Sequence, residues 1–318
     1  MTKREAFIKA LKREPISGLV PHFELVFFPT LEAVGKIHPV HRTYHQWYQM
    51  SIKEKIMHIN YSAECYVDYA KKYNHYAIVA VGSDGMPEEA YAQMIERIRE
   101  ISGDEYYIMM SADPTVAIPS GDTMEEFTVQ IYEEPEKIKE SSEFWMNENI
   151  RFAEKYMGKG LLDGFVLCSD YCMNANPFFT RDMFSDLISP YLSGIIDAYH
   201  KMGYYAIKHT DGNIMPIIDL MVDCKPDALH SLDPQGGVDL KEVKRLFGDK
   251  VSFAGNVNCG LLQTGTEEEV IADVKRSLNE GMQGNGYIFC TSNCVYPGLD
   301  LERYELMNAI WQQEGIYR

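Results

Sequence analysis

Eight short apolar runs, rich in β-branched and aromatic residues, alternate along the chain with stretches of helical periodicity. They lie near residues 20–26, 77–82, 106–111, 163–168, 204–209, 226–232, 251–256 and 286–290. A strand that returns through a helix to another strand joins parallel neighbours, so the alternation predicts an α/β protein. Eight repeats of it predict a single (β/α)8 TIM barrel. An open doubly wound sheet is the competing architecture, but its early glycine-rich phosphate loop is missing. The 318 residues contain no proline- or serine-rich linker, internal repeat or low-complexity tract, so the expected unit is one domain over 1–318.

Between the runs, 181–202 sets Met183, Phe184, Leu187, Ile188, Tyr191, Leu192 and Ile195 at helical spacing. Thr266 followed by Glu269 is a capping-box pattern that opens a helix, and the charged stretch 132–158 reads as a solvated helix.

Charge narrows the partners. Lys and Arg number 30 against 47 Asp and Glu, a formal net charge of −17, and no basic cluster could follow a phosphate backbone. Nucleic acid is therefore not an expected partner, and a polyanionic small substrate is disfavoured because it needs convergent Arg or Lys. No run approaches the ~20 apolar residues of a membrane span, and 1–11 reads as an amphipathic helix rather than a signal peptide. The expected location is the cytoplasm, with no membrane association. The seven cysteines are odd in number and irregularly spaced, which fits free thiols or metal ligands better than disulfides.

A barrel carries its chemistry where the strands end at their C-termini. Those ends present Glu24, then Ser83-Asp84-Gly85, Asp113-Pro114, Asp170-Tyr171, His209 with Asp211, His230 with Asp233, Asn256 with Asn258 and Cys259, and finally Cys290 with Cys294. Strand alternation points His209 and Asp211 to one side. Each has a plainer reading: Asp211 as the cap of a following helix with Gly212 in the turn, His209 as a hydrogen-bonded core residue. Cys65, Cys168 and Cys224 read as packed thiols. Cys259 and Cys294 instead lie just past strands among Asn, Gly, Ser and Pro. With an acid or imidazole from the two preceding strand ends they could complete a tetrahedral zinc site with one position left for substrate. The candidate ligands are His209, Asp233, Cys259 and Cys294, with Asp211 as an alternative member. Glu24, Asp170, Tyr171, His230 and Asn256 are the candidate substrate contacts, in a pocket that the aromatic stretches 170–179 and 23–28 would line.

Several segments resemble the uroporphyrinogen decarboxylase-like superfamily: His209-Thr210-Asp211-Gly212-Asn213, Asp227-Ala228-Leu229-His230, Val243-Lys244-Arg245-Leu246-Phe247-Gly248, Gly255-Asn256-Val257-Asn258-Cys259 and the closing Gly286-Tyr287-Ile288. The decarboxylase grips its acetate and propionate groups with an arginine-bearing segment near the N-terminus, whereas 21–29 here holds no arginine. The corrinoid-linked methyltransferases of the superfamily are the nearer chemical match. They bind zinc through a His-x-Cys pair and a late cysteine, to which His209, Asp211 and Cys294 correspond, with an acid in place of the first cysteine. Demethylases of methoxylated aromatics supply an acid and two later cysteines, matched by Asp233, Cys259 and Cys294. The resemblance implies a zinc-dependent methyltransferase that moves a methyl group from a small methylated substrate, such as a methoxyaromatic, to the cobalt of a separate corrinoid-binding protein. His209 and Asp211 would complete the metal shell or polarise the substrate. A homodimer is compatible with this reading. The alternatives are a metal-independent decarboxylase of another carboxylate, with Asp211 or Asp170 stabilising a cationic intermediate, and a non-catalytic barrel that binds a corrinoid or tetrapyrrole.

Overall fold

Seven of the eight apolar runs are strands of one parallel sheet, laid side by side in chain order. A computed structural model describes residues 1–119 and 121–317. A short β1 (Gly18–Leu19) pairs antiparallel with β9 (Ile316–Tyr317), and the main sheet comprises β2 (Ala77–Ala80), β3 (Tyr107–Ser111), β4 (Gly164–Cys168), β5 (Tyr205–Thr210), β6 (Ala228–Ser231), β7 (Ser252–Val257) and β8 (Tyr287–Thr291). Helices return the chain between successive strands, as parallel pairing requires.

The strands are buried on both faces, which is why they read as continuous apolar runs rather than as alternating ones. Their side chains divide into two cores. Ala77, Val79, Tyr107, Met109, Val166, Ile207, Ala228, Ala254 and Ile288 pack with Phe7, Phe23 and Leu25, while Ile78, Ile108, Met110, Phe165, Leu167, Leu229, Phe253 and Phe289 pack in the other core with the surrounding helices. Alternate residues of each strand thus face inward, and the curled sheet encloses a core of its own. The helix Lys3–Leu11 closes the end beneath it, with the Phe7 ring 4.7 Å from Tyr107 and 5.5 Å from Phe23.

The run expected at 20–26 does not form a continuous strand. Its backbone is joined to one edge by a single bond, Tyr76 N donating to His22 O (2.6 Å), and to the other by two, Phe289 N to Pro21 O (2.8 Å) and Phe23 N to Phe289 O (3.4 Å). Pro21 has no N–H to give a ladder, which accounts for the interruption. The expected helix at 181–202 is also modified. Arg181–Met183 leads through a wider π-type turn at Phe184–Ile188 into Ser189–Lys201, and Pro190 supplies no amide to the bonding pattern there. The stretch 132–158 is likewise split, with one helix ending at Glu133 and the next, Pro135–Glu154, beginning at its proline. The capping box at Thr266 and Glu269 is present. Among the described residues no helix is long and apolar enough to cross a membrane.

Candidate functional site

β5 sends its side chains to opposite sides, and that division organises the mouth of the sheet. Lys208 points outward, is fully buried, and donates from Nζ to Asp113 Oδ2 (2.7 Å), Ser169 O (2.9 Å) and Leu167 O (3.3 Å). Its ammonium also lies 4.2 Å from the centre of the Tyr171 ring. Asp113 in turn accepts from Thr115 N (2.9 Å) and Thr115 Oγ1 (2.6 Å), and Thr115 Oγ1 lies 2.6 Å from the Tyr171 hydroxyl. This closed network ties the loops after β3 and β4 together. Tyr171, an expected substrate contact, is consumed in it. Asn256 is similarly engaged, donating from Nδ2 to Leu232 O (2.8 Å) and accepting from Arg276 Nη1 (3.0 Å).

His209 points inward. Its Nδ1 lies 2.8 Å from Nδ1 of His230, its register partner on β6. On the other edge of the ring, Nε2 is 3.8 Å from Asp211 Oδ1 and 3.9 Å from Asp170 Oδ1. Asp170, His209 and Asp211 bring one ligand atom each within 4.8 Å of one another. Asp211 caps no helix: its backbone N–H donates to Asp170 Oδ1 (2.9 Å), Asn293 Nδ2 donates to its Oδ2, and Oδ1 is buried without a partner. Gly212 takes the turn that follows, at φ +77°, where an added Cβ would stand 2.5 Å from Met173 O.

Burial, with the charge of Lys208 behind it, pushes His209 down to about 3, so the imidazole is neutral at pH 7. Burial pushes Asp211 up to about 7, and the carboxylates of Asp170 and Asp233 add to the effect. Two neutral histidines facing each other through Nδ1 share a single proton. If His209 donates it, its Nε2 lone pair is bare and faces the carboxylates, the state in which a histidine binds a metal.

Glu24 enters from the bridged segment. Its Oε2 accepts from Thr291 N (3.3 Å) and from the Thr291 hydroxyl, while Oε1 is buried without a partner. Burial pushes this carboxyl up to about 8. Cys259 begins the short helix Cys259–Thr264 after β7, with Sγ 3.8 Å from Cys294 O. Burial drives Cys259 up to about 12 and Cys294 up to about 11. The Glu24 charge opposes ionisation of both, and Asp211 opposes that of Cys294. A thiolate at either position therefore needs a cation beside it.

Two cavities open at this mouth. One, of about 250 Å³, is walled by Leu25, Val26, Val79, Val81 and Val166 and reaches Asp170 and His209. The other, of about 170 Å³, holds Asp211, Asp233, Cys259, Ser292 and Asn293. The pocket is thus aliphatic where an aromatic one was expected. Phe23 and Phe27 turn into the cores, Phe27 against Tyr69 (5.3 Å) and Tyr73 (5.0 Å). Asp233 accepts from Gln235 N (2.9 Å) and lies outside the three-residue group around His209, so His209, Asp233, Cys259 and Cys294 do not form one such compact set among the described residues. Asn293, Thr291 and Lys208 were missed in the sequence. Lys208 carried a signal, because a lysine inside an apolar run must be paired when buried.

Comparison with known proteins agrees with this architecture. A family model described as uroporphyrinogen decarboxylase (URO-D) matches residues 115–312. A protein of Pseudoalteromonas translucida (strain TAC 125) named uroporphyrinogen decarboxylase is 26% identical over 156 residues, which cover 45% of this chain and only 43% of that one. Among solved structures, a methyltransferase from Methanosarcina mazei superposes with a TM-score of 0.73 at 16% identity, covering 98% of this chain and 99% of the other. A GH5_18 protein from Streptomyces cattleya in complex with GlcNAc superposes with a TM-score of 0.52 at 9% identity, covering 94% and 82%. Identities this low carry the fold and no further.

Proposed function

The chain belongs to the uroporphyrinogen decarboxylase (URO-D) family, and from that premise we propose that it is a zinc-dependent methyltransferase that passes a methyl group from a small methylated substrate, a methoxyaromatic being the leading candidate, to the corrinoid of a partner protein. The observation that carries this reading is the pairing of an aliphatic cavity with a donor-rich cleft, adjoining at His209, Asp170 and Asp211. On the same reading the fold is a (β/α)8 barrel whose first strand is the bridged segment 20–28, supported by its backbone bonds to both edge strands.

The donors at the mouth suit zinc by chemical type, and Asp170, His209 and Asp211 are the group whose ligand atoms lie within 4.8 Å of one another among the described residues. Buried, unpartnered oxygens on Asp211 and Glu24 and two thiols that burial keeps protonated are groups that a divalent cation would satisfy. Asp170, His209 and Asp211 would hold the ion where they stand, and Cys259 and Cys294, with Asp233, would complete its shell only by closing on that group. When bound, zinc supplies a Lewis acid for the ether oxygen, and the docked corrinoid supplies the methyl acceptor. The protein's own residues do the rest. Leu25, Val26, Val79, Val81 and Val166 hold the apolar body of the substrate and exclude water. Asn293 fixes the Asp211 carboxyl, and His230 fixes the ring of His209.

Decarboxylation of another carboxylate is the second reading, supported by the name of the Pseudoalteromonas relative. Against it, neither cavity is lined by a lysine or arginine. The seven free cysteines fit the reducing cytoplasm. Incubation with 2-methoxyphenol and cob(I)alamin tests the proposal. Catechol and methylcobalamin formed in step support it. Absence of both with every methoxylated phenol tried, even with a corrinoid protein supplied, sinks it and favours a decarboxylase or a binding module.

A further inference from the structure

We infer that a basic, apolar face on the rim of the mouth, built by residues 37–57, docks the acidic surface of a protein, the corrinoid carrier. The inference rests on the methyltransferase reading for the identity of the carrier and adds where, and by what chemistry, it binds. Tyr48, Ile52, Ile56 and Met57 are 77%, 79%, 54% and 61% exposed. The last three share the solvent face of the helix Ile52–Lys72, whose opposite face buries Ile59, Ala63, Tyr66 and Ala70. The Lys55 ammonium stands 5.7 Å from the centre of the Tyr48 ring, and the exposed Ile37 donates from its N–H to the hydroxyl of Tyr61 (2.6 Å), one turn beyond Met57. These side chains therefore form one surface rather than scattered exposure. Its place on the rim is fixed by Tyr44 N, which donates to Asp84 O (2.9 Å), and by Ser83 Oγ, which donates to Pro39 O (2.7 Å). Ser83 and Asp84 follow β2 just past Val79 and Val81, which wall the aliphatic cavity.

Charge decides between occupants. The chain carries a net −17, yet residues 37–58 hold Arg42, Lys53 and Lys55 against a single acid, Glu54. Glu54 is engaged at the start of the helix, where it accepts from Ser51 N (2.7 Å). The ion pairs of this region are Lys36 with Glu64 and Asp68, His45 with Asp84, and Lys72 with Glu305, so among the described residues Arg42, Lys53 and Lys55 are left without a carboxylate. A second copy of this chain joined about a two-fold axis would set these cations against themselves. An anionic membrane would also meet the acidic remainder of the molecule. An acidic protein surface pairs with the cations while covering the isoleucines, and apolar contacts framed by complementary charge make a specific interface. Seated on the rim, such a partner brings its corrinoid over the mouth and leaves the aliphatic cavity to the methyl donor.

Calorimetry of the full-length protein with a corrinoid-binding protein purified from the same organism, its cofactor bound, tests this separately from methyl transfer. Ile52→Glu with Ile56→Glu should weaken binding by at least about tenfold, because the interface would then bury two unpaired carboxylates. Lys53→Glu with Lys55→Glu should weaken it severalfold at low salt and flatten its dependence on salt. Both pairs lie outside the two cavities, so methyl transfer to free cob(I)alamin should keep the wild-type rate in each. Unchanged affinity in either double variant, or no binding of the corrinoid protein to the wild type, overturns the inference. So does wild-type self-association that the isoleucine variant abolishes, or binding to phosphatidylglycerol vesicles in place of the corrinoid protein. Transfer to free cob(I)alamin with carrier affinity unchanged in the variants would remove the docking face and keep the methyltransferase. Carrier binding that the variants lose, without any methyl transfer, would do the reverse.

Discussion

The Nδ1 atoms of His209 and His230 lie 2.8 Å apart on neighbouring strands, so each ring decides which nitrogen of the other carries a proton. Only His209 presents its second nitrogen to the carboxyls of the mouth. His230→Phe removes the partner while keeping the ring volume. Loss of such a supporting contact to a metal-bound histidine typically costs about 10–100-fold in metal affinity. Competition with a chromogenic chelator should show a loss of that size for zinc. Unchanged affinity would exclude His209 from the metal shell.

Lys208 and Asp113 form a buried pair at 2.7 Å that joins the loops after β3 and β4. Lys208→Met leaves the Asp113 carboxylate buried without its cation and should destabilise the protein by about 3–5 kcal/mol in urea unfolding. The double substitution Lys208→Met with Asp113→Leu should recover a large part of that loss, because it removes both charges.

Asp211 gives a pH signature. Its folded value of about 7 lies above the ordinary ~4 of an aspartate, so the folded state holds its proton where the unfolded chain has lost it. This group therefore contributes a stability that is complete below pH ~4 and declines as pH rises towards 7. Other groups titrate in the same window, among them His209 with the opposite slope, so the comparison must be with Asp211→Asn. In metal-free protein the melting temperature of that variant, relative to wild type, should rise steadily between pH 4 and 7. A constant difference would show that Asp211 ionises as freely in the fold as outside it.

Val79 and Val166 line the aliphatic cavity without touching the polar cleft that holds Cys259. Val79→Phe should raise KM for a methoxylated phenol by tenfold or more while leaving the zinc content unchanged, because it occupies substrate space and not ligand space. The cost in stability should stay within the ~1–3 kcal/mol of an added bulky side chain. Loss of zinc in this variant would show that the two cavities are not independent.

What the chain betrays in advance follows from how local each signal is. The strands β2 to β8 were legible because double-sided burial leaves unbroken apolar runs, and the polar residues at their ends were legible because an apolar run must stop somewhere. Pro21 could have warned that 20–26 would not hold a ladder. Tyr171 and Asn256 resembled binding residues, yet their polar atoms are spent on Thr115, Leu232 and Arg276, partners supplied by distant segments. The aliphatic cavity was invisible for the same reason. Its walls come from the bridged segment and from β2, β3 and β4, and nothing along the chain marks where their ends leave space.

Metal analysis tests the central claim most directly. Protein purified without chelator should carry about one zinc per chain, and Cys259→Ala or Cys294→Ala should lose both the metal and the transfer of methyl from 2-methoxyphenol to cob(I)alamin. Wild-type protein that transfers the methyl group without zinc, with activity unchanged in both cysteine variants, would contradict the account.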